Sequence, residues 1–363
     1  MADFRVPAKQ AYDFCKTAFV KMGFSEVDSE KIAKVLNFAD VYGIESHGIQ
    51  RMWRYYTQTK NGSIHIDAKP EIVFETPVSA VIDGHDGMGQ LISYNAIELA
   101  MEKAKKSGMA IVTIRESNHY GIAGYYTKLA ADNGLIALSM TNTEAMMVHT
   151  NSKKPVLGTN PIAMAVPADP HPFWFDAATT VVTRGKLELY AKKEKEMPNG
   201  WAVDENGQPC TDSKRVLDNI IAKRGGGILP TGGSEEETGS HKGYGFGMMC
   251  EIFTAILSGG STSNHHIRVE GKGAGSCHAF IVINPAAFGD PAEIKAHMST
   301  LMQELRDTAK ADGKDVIYVH GDKEAEAEKL SATQGINMKE KTLDELKKIA
   351  DDLGFECKFD IIG

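Results

Sequence analysis

The stretch Glu45-Ser-His-Gly-Ile-Gln-Arg51 sets an imidazole and a guanidinium four residues apart. If Ser46 caps a helix running from His47 to about Tyr56, His47 and Arg51 share one helix face, because positions i and i+4 are neighbours there. The planar fork of Arg51 suits both oxygens of a carboxylate, and a histidine moves protons near neutral pH. The pair therefore fits a 2-oxo or 2-hydroxy acid. The competing reading is a helix cap with a surface arginine.

A second constellation is Ser117-Asn-His-Tyr-Gly-Ile-Ala-Gly-Tyr125. His119 falls where a strand ending near Arg115 turns into a helix, and ligands of α/β proteins gather at the carboxyl ends of strands. Gly121 and Gly124 lie one helical turn apart and would let a flat ring or another backbone approach, or would serve packing alone. Gly158-Thr-Asn-Pro161, with Thr159, and then Phe175-Asp-Ala-Ala-Thr-Thr180 bring hydroxyl and amide groups and the acid Asp176 among threonines. These are donors for a ribose or pyrophosphate, although Asn-Pro also marks ordinary turns. Gly239-Ser-His-Lys-Gly-Tyr-Gly-Phe-Gly247 opens a helix whose free N–H groups, with His241, Lys242 and Gly243, would attract a phosphate or carboxylate. Neither Gly243, Gly245 and Gly247 nor Gly271, Gly273 and Gly275 make G-x-G-x-x-G, and neither G-x-S-x-G nor a Walker loop occurs. Ser46, His119 and Asp176 are the members of a Ser-His-Asp hydrolase, but Ser46 lacks the strained elbow motif of such enzymes.

These residues need a scaffold. Ala11, Cys15, Ala18, Phe19 and Met22 recur at helical spacing before Gly23; Ile32, Val35, Leu36 and Ala39 do so between a cap at Asp28 and Gly43. From about residue 72 the pattern turns to strands: Glu71–Phe74, Ser79–Asp83, Met109–Arg115, Leu135–Met140 and, later, His278–Asn284. Helices from Leu91 to Lys106 and Tyr120 to Asp132 alternate with them. Further helices run from Lys242 to Leu257, Pro291 to Lys310 and Thr342 to Leu353, and the charge runs Lys192–Glu196 and Glu235–Glu237 read as solvated surface. The expected fold is α/β: a sheet-rich central domain over 72–286 with helices packed on it, and a helical subdomain from 1–71 and 287–363.

The chain of 363 residues carries a formal net charge of −8, which repels nucleic acid phosphates and anionic lipid. Cys15, Cys210, Cys250, Cys277 and Cys357 form no C-x-x-C pair, so neither a zinc site nor a redox dithiol is expected and no metal is assigned. A basic segment followed by an apolar run is absent from the start of the sequence, and no apolar stretch approaches the ~20 residues that span a bilayer, so a cytoplasmic protein without membrane contact is expected.

In this order, Ser46-His-Gly with Arg51, Asn118-His-Tyr-Gly with Ala123-Gly-Tyr, Gly158-Thr-Asn-Pro, Asp176-Ala-Ala-Thr-Thr and His241-Lys-Gly resemble the type 2 malate/L-lactate dehydrogenase family. That family also includes ureidoglycolate, sulfolactate and diketogulonate oxidoreductases and a cyclic imino acid reductase. The resemblance covers essentially the whole chain. It implies a fold distinct from the Rossmann dehydrogenases, a homodimer with active sites near the subunit boundary, and dependence on NAD or NADP, with NAD favoured. It gives His119 the acid/base role, Ser46 and His47 a further proton-transfer role and Arg51 the substrate carboxylate. Thr143, the run Ala177, Ala178, Thr179 and Thr180, and Lys242 then become cofactor contacts. The expected substrate is a small 2-hydroxy or 2-oxo acid, malate before lactate, with reduction of a cyclic imino acid or a diketogulonate-type substrate as the alternative. Three departures stand out. Asp176-Ala-Ala-Thr-Thr replaces D-M-A-T-S, His320-Gly-Asp322 stands where Pro-Gly-Glu is common, and Thr231–Ser240 lengthens the loop before Lys242.

Overall fold

The computed structural model describes residues 3–266, 269 and 271–362. A short strand, Asp3–Val6, pairs antiparallel with Ile336–Lys339, so segments from the two ends of the chain meet. Helix α1 (Ala8–Met22) stops at Gly23, whose φ of 111° is the left-handed turn that a residue without Cβ adopts freely. Helix α2 (Glu26–Val41) begins one turn earlier than the Asp28 cap implies. Ser25 is the cap, its Oγ accepting the Asp28 N–H at 3.1 Å, and Asp28 lies inside the first turn, where a carboxylate faces the positive end of the helix dipole.

The helix expected from His47 to Tyr56 forms in three pieces. Two tight turns, Glu45–His47 and Ile49–Arg51, precede helix α3 (Met52–Lys60). Gly48 separates them at φ −89° and ψ −149°, outside the helical region, so His47 and Arg51 are not neighbours on one continuous helix face. α1, α2 and α3 enclose Phe19, Ile32, Leu36, Met52 and Tyr55 in a core that also takes Ile336 and Met338 from the late strand.

The main sheet has seven strands in the order Glu71–Thr76, Ser79–Asp83, Met109–Ser117, Ser276–Ile283, Ile136–Thr141, Ile162–Val166 and Phe173–Ala177. Only Ser79–Asp83 with Met109–Ser117 is a parallel pair among the described strands of this sheet. Alternate residues Val112, Ile114, Phe280 and Val282 point into a core closed by α4 (Gly89–Ser107) and α5 (Ala123–Asp132). The second of these starts three residues after the expected Tyr120, because Gly121, at φ 84°, turns the chain first.

A small sheet not anticipated from the sequence joins Met147–Val148, Pro155–Leu157, Ala202–Val203 and Gly227–Ile228. With α6 (Arg184–Lys192) and α7 (Ser213–Ile221) it encloses Met146, Leu187, Met197, Val216 and Ile228. The charge runs Lys192–Glu196 and Glu235–Glu237 are exposed. α8 (Ser240–Glu251) runs on into a wider helical turn, Ile252–Ile256, in place of one uniform helix to Leu257.

Later, α9 (Pro291–Arg306) ends four residues before Lys310 and packs Met302 on Ala168 and Val319. α10 (Asp322–Gln334), also unanticipated, lies along α2, with the Tyr42 hydroxyl on Glu328 at 2.7 Å. α11 (Glu340–Leu353) packs on α1 and α3. Beside it Asn337 Nδ2 donates to Glu45 Oε1 at 2.8 Å, which ties the late strand to the turn that carries Ser46 and His47. Among the described residues no helix is long and apolar enough to cross a membrane.

Candidate active site

A cavity of about 710 Å³ opens between the α3 layer, the main sheet and α6, and Ser46, His47, Arg51, His119, Thr143 and Thr159 are among its walls. A volume of that order suits a small-molecule site. His119 arrives on the loop after Met109–Ser117. Its neighbour Asn118 is fully buried, and Nδ2 donates to the carbonyls of Ser63 (3.1 Å), Asp86 (2.8 Å) and Gly87 (3.1 Å), while Oδ1 accepts the Ala274 N–H (3.0 Å). Those bonds lock the backbone that presents His119.

The His119 ring is held from behind. Its Nδ1 lies 2.7 Å from the Tyr55 hydroxyl and accepts the Gly121 N–H at 3.4 Å. A backbone N–H can only donate, so Nδ1 is an acceptor and the neutral ring carries its proton on Nε2, the nitrogen left for the cavity. His47 stacks on His119, centroids 5.5 Å apart at 20°, and its Nδ1 meets Ser46 Oγ at 2.9 Å. Burial pushes His119 well below the ordinary histidine range, helped by the positive charges of Arg54 and Arg51; burial and the same two arginines bring His47 down to about 4. Both rings are therefore neutral at pH 7.

The turn that carries His47 and Arg51 rests on Asp40 of α2. The buried carboxylate accepts the Ile49 N–H at 2.7 Å, and a Cβ on Gly48 would stand 1.9 Å from Asp40 Oδ1. Only a glycine lets the acid come so close. Burial raises the Asp40 carboxyl well above the usual range. Arg51 closes the turn by donating from Nε to the Ser46 carbonyl at 2.5 Å.

The cavity is lined also by hydroxyls and amides. Thr143 Oγ1 accepts the Thr159 N–H at 2.9 Å, and Asn160 Oδ1 accepts the Thr143 N–H at 3.1 Å. Beneath them the buried Glu251 accepts from Asn160 Nδ2 (2.9 Å), from Asn142 Nδ2 (3.2 Å) and from the backbone and hydroxyl of Ser263. A carboxylate sharing so many donors fixes three loops at once.

Other sequence candidates sit elsewhere. Asp176, Ala177, Ala178, Thr179 and Thr180 do not line the cavity. Asp176 Oδ2 accepts the Gly124 N–H at 2.7 Å near the start of α5, and burial pushes its carboxyl up to about 7. The Thr179 N–H and Oγ1 both reach the Thr159 carbonyl (2.9 and 3.1 Å), and Thr180 Oγ1 donates to Val182 O (2.7 Å), so this run supports the Thr159 loop from behind. His241 and Lys242 are exposed on the first turn of α8, and Gly243 is buried where a Cβ would meet Thr231 O at 2.0 Å; none of the three lines the cavity. The Ser46, His119 and Asp176 triad does not assemble, because each has a different partner: His47, Tyr55 and Gly124. His320 packs edge-on against Phe175 at 5.0 Å and Asp322 pairs with Arg306 at 2.7 Å, which knits that loop to the last strand of the sheet.

Sequence reasoning missed Asp40, Arg54, Tyr55 and Glu251. One signal was available: Arg51, Arg54, Gln58 and Asn61 recur at helical spacing, and all four line the cavity.

The description "malate/L-lactate dehydrogenase" belongs to the family model that matches residues 6–347. The chain is similar to malate dehydrogenase of Pyrococcus abyssi, 40% identical over 350 residues that cover 96% of this chain and 95% of that one. It is similar also to malate/(S)-sulfolactate dehydrogenase of Methanothermus fervidus, 38% identical over 340 residues covering 92% and 94%. Its fold matches a crystal structure of malate dehydrogenase from Entamoeba histolytica with a TM-score of 0.95 at 35% identity, over 99% of this chain and 100% of that one.

Proposed function

This chain belongs to the malate/L-lactate dehydrogenase family, nicotinamide-dependent oxidoreductases acting on the CH–OH group of small 2-hydroxy acids, and from that premise we propose that Arg51 and His119 carry its chemistry. The observation that carries this reading is the pair of stacked, neutral histidines in one cavity with Arg51 and with the hydroxyls of Thr141, Thr143 and Thr159. Malate and oxaloacetate are the first substrates, lactate and pyruvate the second.

Arg51 grips the substrate carboxylate with its planar fork and so turns the reactive carbon toward the histidines. When bound, the nicotinamide supplies the hydride acceptor for the alcohol and the hydride donor for the oxo acid. His119 removes the hydroxyl proton during oxidation from its other neutral tautomer, whose Nδ1–H donates to the Tyr55 hydroxyl, which leaves the Nε2 lone pair free for that proton. In reduction it must carry a proton to the new alkoxide. An anionic acid seated between the arginines and the rings offsets the repulsion that keeps His119 uncharged and so favours loading that proton. Tyr55 holds the ring by Nδ1, and His47 with Ser46 orients the substrate or relays protons.

The residues present fit a nicotinamide nucleotide. Thr141, Asn142, Thr143 and Thr159 offer a wall of hydroxyl and amide groups, Thr143 and Thr159 being the contacts proposed here, with NAD favoured over NADP. Asp176–Thr180 and His241–Gly243 stand as proposed contacts only through backbone groups or a change of α8. A largely antiparallel sheet and the absent G-x-G-x-x-G support a nucleotide site unlike the Rossmann one. The division into 1–71 with 287–363 and 72–286 is likewise a proposal, supported by the core that segments from both ends share. Phe246, Met249, Ile252, Ile256 and Leu257 leave an exposed apolar stripe on α8 and its continuation, which supports a homodimer built on that face. Free cysteines at all five positions support a reducing, cytoplasmic setting.

The test is a spectrophotometric panel of NADH and NADPH against oxaloacetate, pyruvate and cyclic imino acids. Turnover of oxaloacetate is expected. Turnover of the imino acids alone would overturn the hydroxy acid assignment.

A further inference from the structure

Helix α3 presents a polar stripe to the cavity. Arg51 stands at its cap, and Arg54, Gln58 and Asn61 follow at intervals of three and four residues, all lining the cavity, while Met52 and Tyr56 are buried on the other side. Arg51 and Arg54 are therefore side by side, with Cβ atoms roughly 5–6 Å apart by helical geometry. Gln58 Oε1 accepts from Arg54 Nε at 3.3 Å, which steers the guanidinium along the stripe.

The charge around the cavity is lopsided. Among the described residues its walls carry Arg51, Arg54, Arg184 and Lys272 against Glu144 and Glu188, in a chain whose net charge is −8. Arg184 and Glu188 hold one another at 3.0 Å on α6. One substrate carboxylate uses Arg51. A second cation, Arg54, then stands three residues away, and its charge weighs on His119 more than that of Arg51 does.

We propose that Arg54 is a specificity-determining residue that grips a second acid group on the substrate, so that the site selects two-acid oxo acids over those with one. This rests on the oxo acid reading above. Two guanidinium groups at this spacing match the two ends of a four-carbon diacid with its carbonyl between them, whereas a three-carbon monoacid has a carboxylate for Arg51 alone.

The experiment compares kcat/KM for oxaloacetate and pyruvate, at saturating reduced nucleotide, in the wild type, Arg54→Gln, Arg54→Lys and Lys272→Gln, with a melting curve for each. Loss of a charge-assisted pair predicts a fall of roughly 10- to 100-fold for oxaloacetate in Arg54→Gln, with pyruvate changed less than about threefold. Arg54→Lys, which keeps the charge and loses the fork, is expected between the two, and it keeps the test alive should Arg54→Gln fail to fold. Any effect that Arg54 exerts through His119 acts on both acids alike, so the ratio isolates the contact. Equal losses on both acids, or a loss confined to nucleotide affinity, overturn the assignment while leaving the dehydrogenase reading intact. Collapse of the ratio in Lys272→Gln and not in Arg54→Gln also overturns it. A wild type that turns over neither acid with either nucleotide overturns both.

Discussion

Replacing Gly48 by alanine tests whether the Ser46–Arg51 turn is shaped by Asp40. The added Cβ would stand 1.9 Å from Asp40 Oδ1, 2.1 Å from Cγ and 2.4 Å from Oδ2, distances that no side chain tolerates. The carboxyl must therefore leave, and with it the 2.7 Å bond that satisfies the Ile49 N–H. Orphaning that buried donor costs about 1–3 kcal/mol, and crowding a packed interior a further ~1–3 kcal/mol. The sum, roughly 2–6 kcal/mol, is a large part of the ~5–15 kcal/mol that holds a typical domain together. Urea unfolding of the wild type, Gly48→Ala, Asp40→Ala and the double variant reads it. Asp40→Ala removes the wall, so the second change should add little, and the double variant should unfold near Asp40→Ala alone, a coupling of about 2 kcal/mol or more. Additive costs would refute the argument, since they would mean that the methyl and the carboxylate never compete for one space.

Three further expectations follow from the site. His119→Ala should lower turnover by roughly 10²–10⁴-fold with nucleotide binding retained, as judged by a thermal shift with NADH; near-normal turnover there, with collapse in His47→Ala, would move the proton role to His47. Arg51→Lys should weaken the oxo acid and Arg51→Gln more so, by roughly 10- to 100-fold in kcat/KM for oxaloacetate and pyruvate alike, whereas lost nucleotide affinity with unchanged kcat/KM would place Arg51 in the cofactor site. His278 is fully buried between Thr141, Ser117 and the Asn118 carbonyl, and burial lowers it from 6.5 to about 3. Its neutral form is what the fold accepts, so the unfolded chain binds the proton more readily. The stability it contributes is present above pH 6.5 and drains as pH falls toward 3, by ~2 kcal/mol at about pH 5. Urea midpoints at pH 7 and 5 should draw closer together in His278→Gln, and an unchanged gap would contradict this account.

The strands of the main sheet were legible because Met109–Ser117 and His278–Ile283 carry β-branched and apolar runs that no tertiary contact has to override. The helical stripes of α1 and α2 were legible for the same reason. What escaped depended on distant partners. Spacing alone made His47 and Arg51 look like one helix face, since Asp40, the acid that draws Gly48 out of helical geometry, enters from another helix. Tyr55 reads as a buried helix residue until folding sets its hydroxyl on His119, 64 residues later. The hydroxyls of Thr179 and Thr180 donate to the Thr159 and Val182 carbonyls, partners that their place in the sequence does not reveal. The small sheet has strands of two or three residues, too short to leave a period.

The strand Ile336–Lys339 gives this site a history in time. Glu45, next to Ser46 and His47, is held by Asn337, a residue that lies 292 positions further along the chain. At the ~5–20 residues per second of synthesis, roughly 15–60 s separate the two on the ribosome. Throughout that interval the faces of α1 and α2 that will close on Ile336 and Met338 remain uncovered, with Phe19, Ile32 and Leu36 among their side chains. Contacts between such distant residues form late in any case, because a long loop must close first. The turn that carries Ser46 and His47 is thus translated among the first elements and braced among the last, so the cavity it lines is completed only when almost the whole polypeptide has been made.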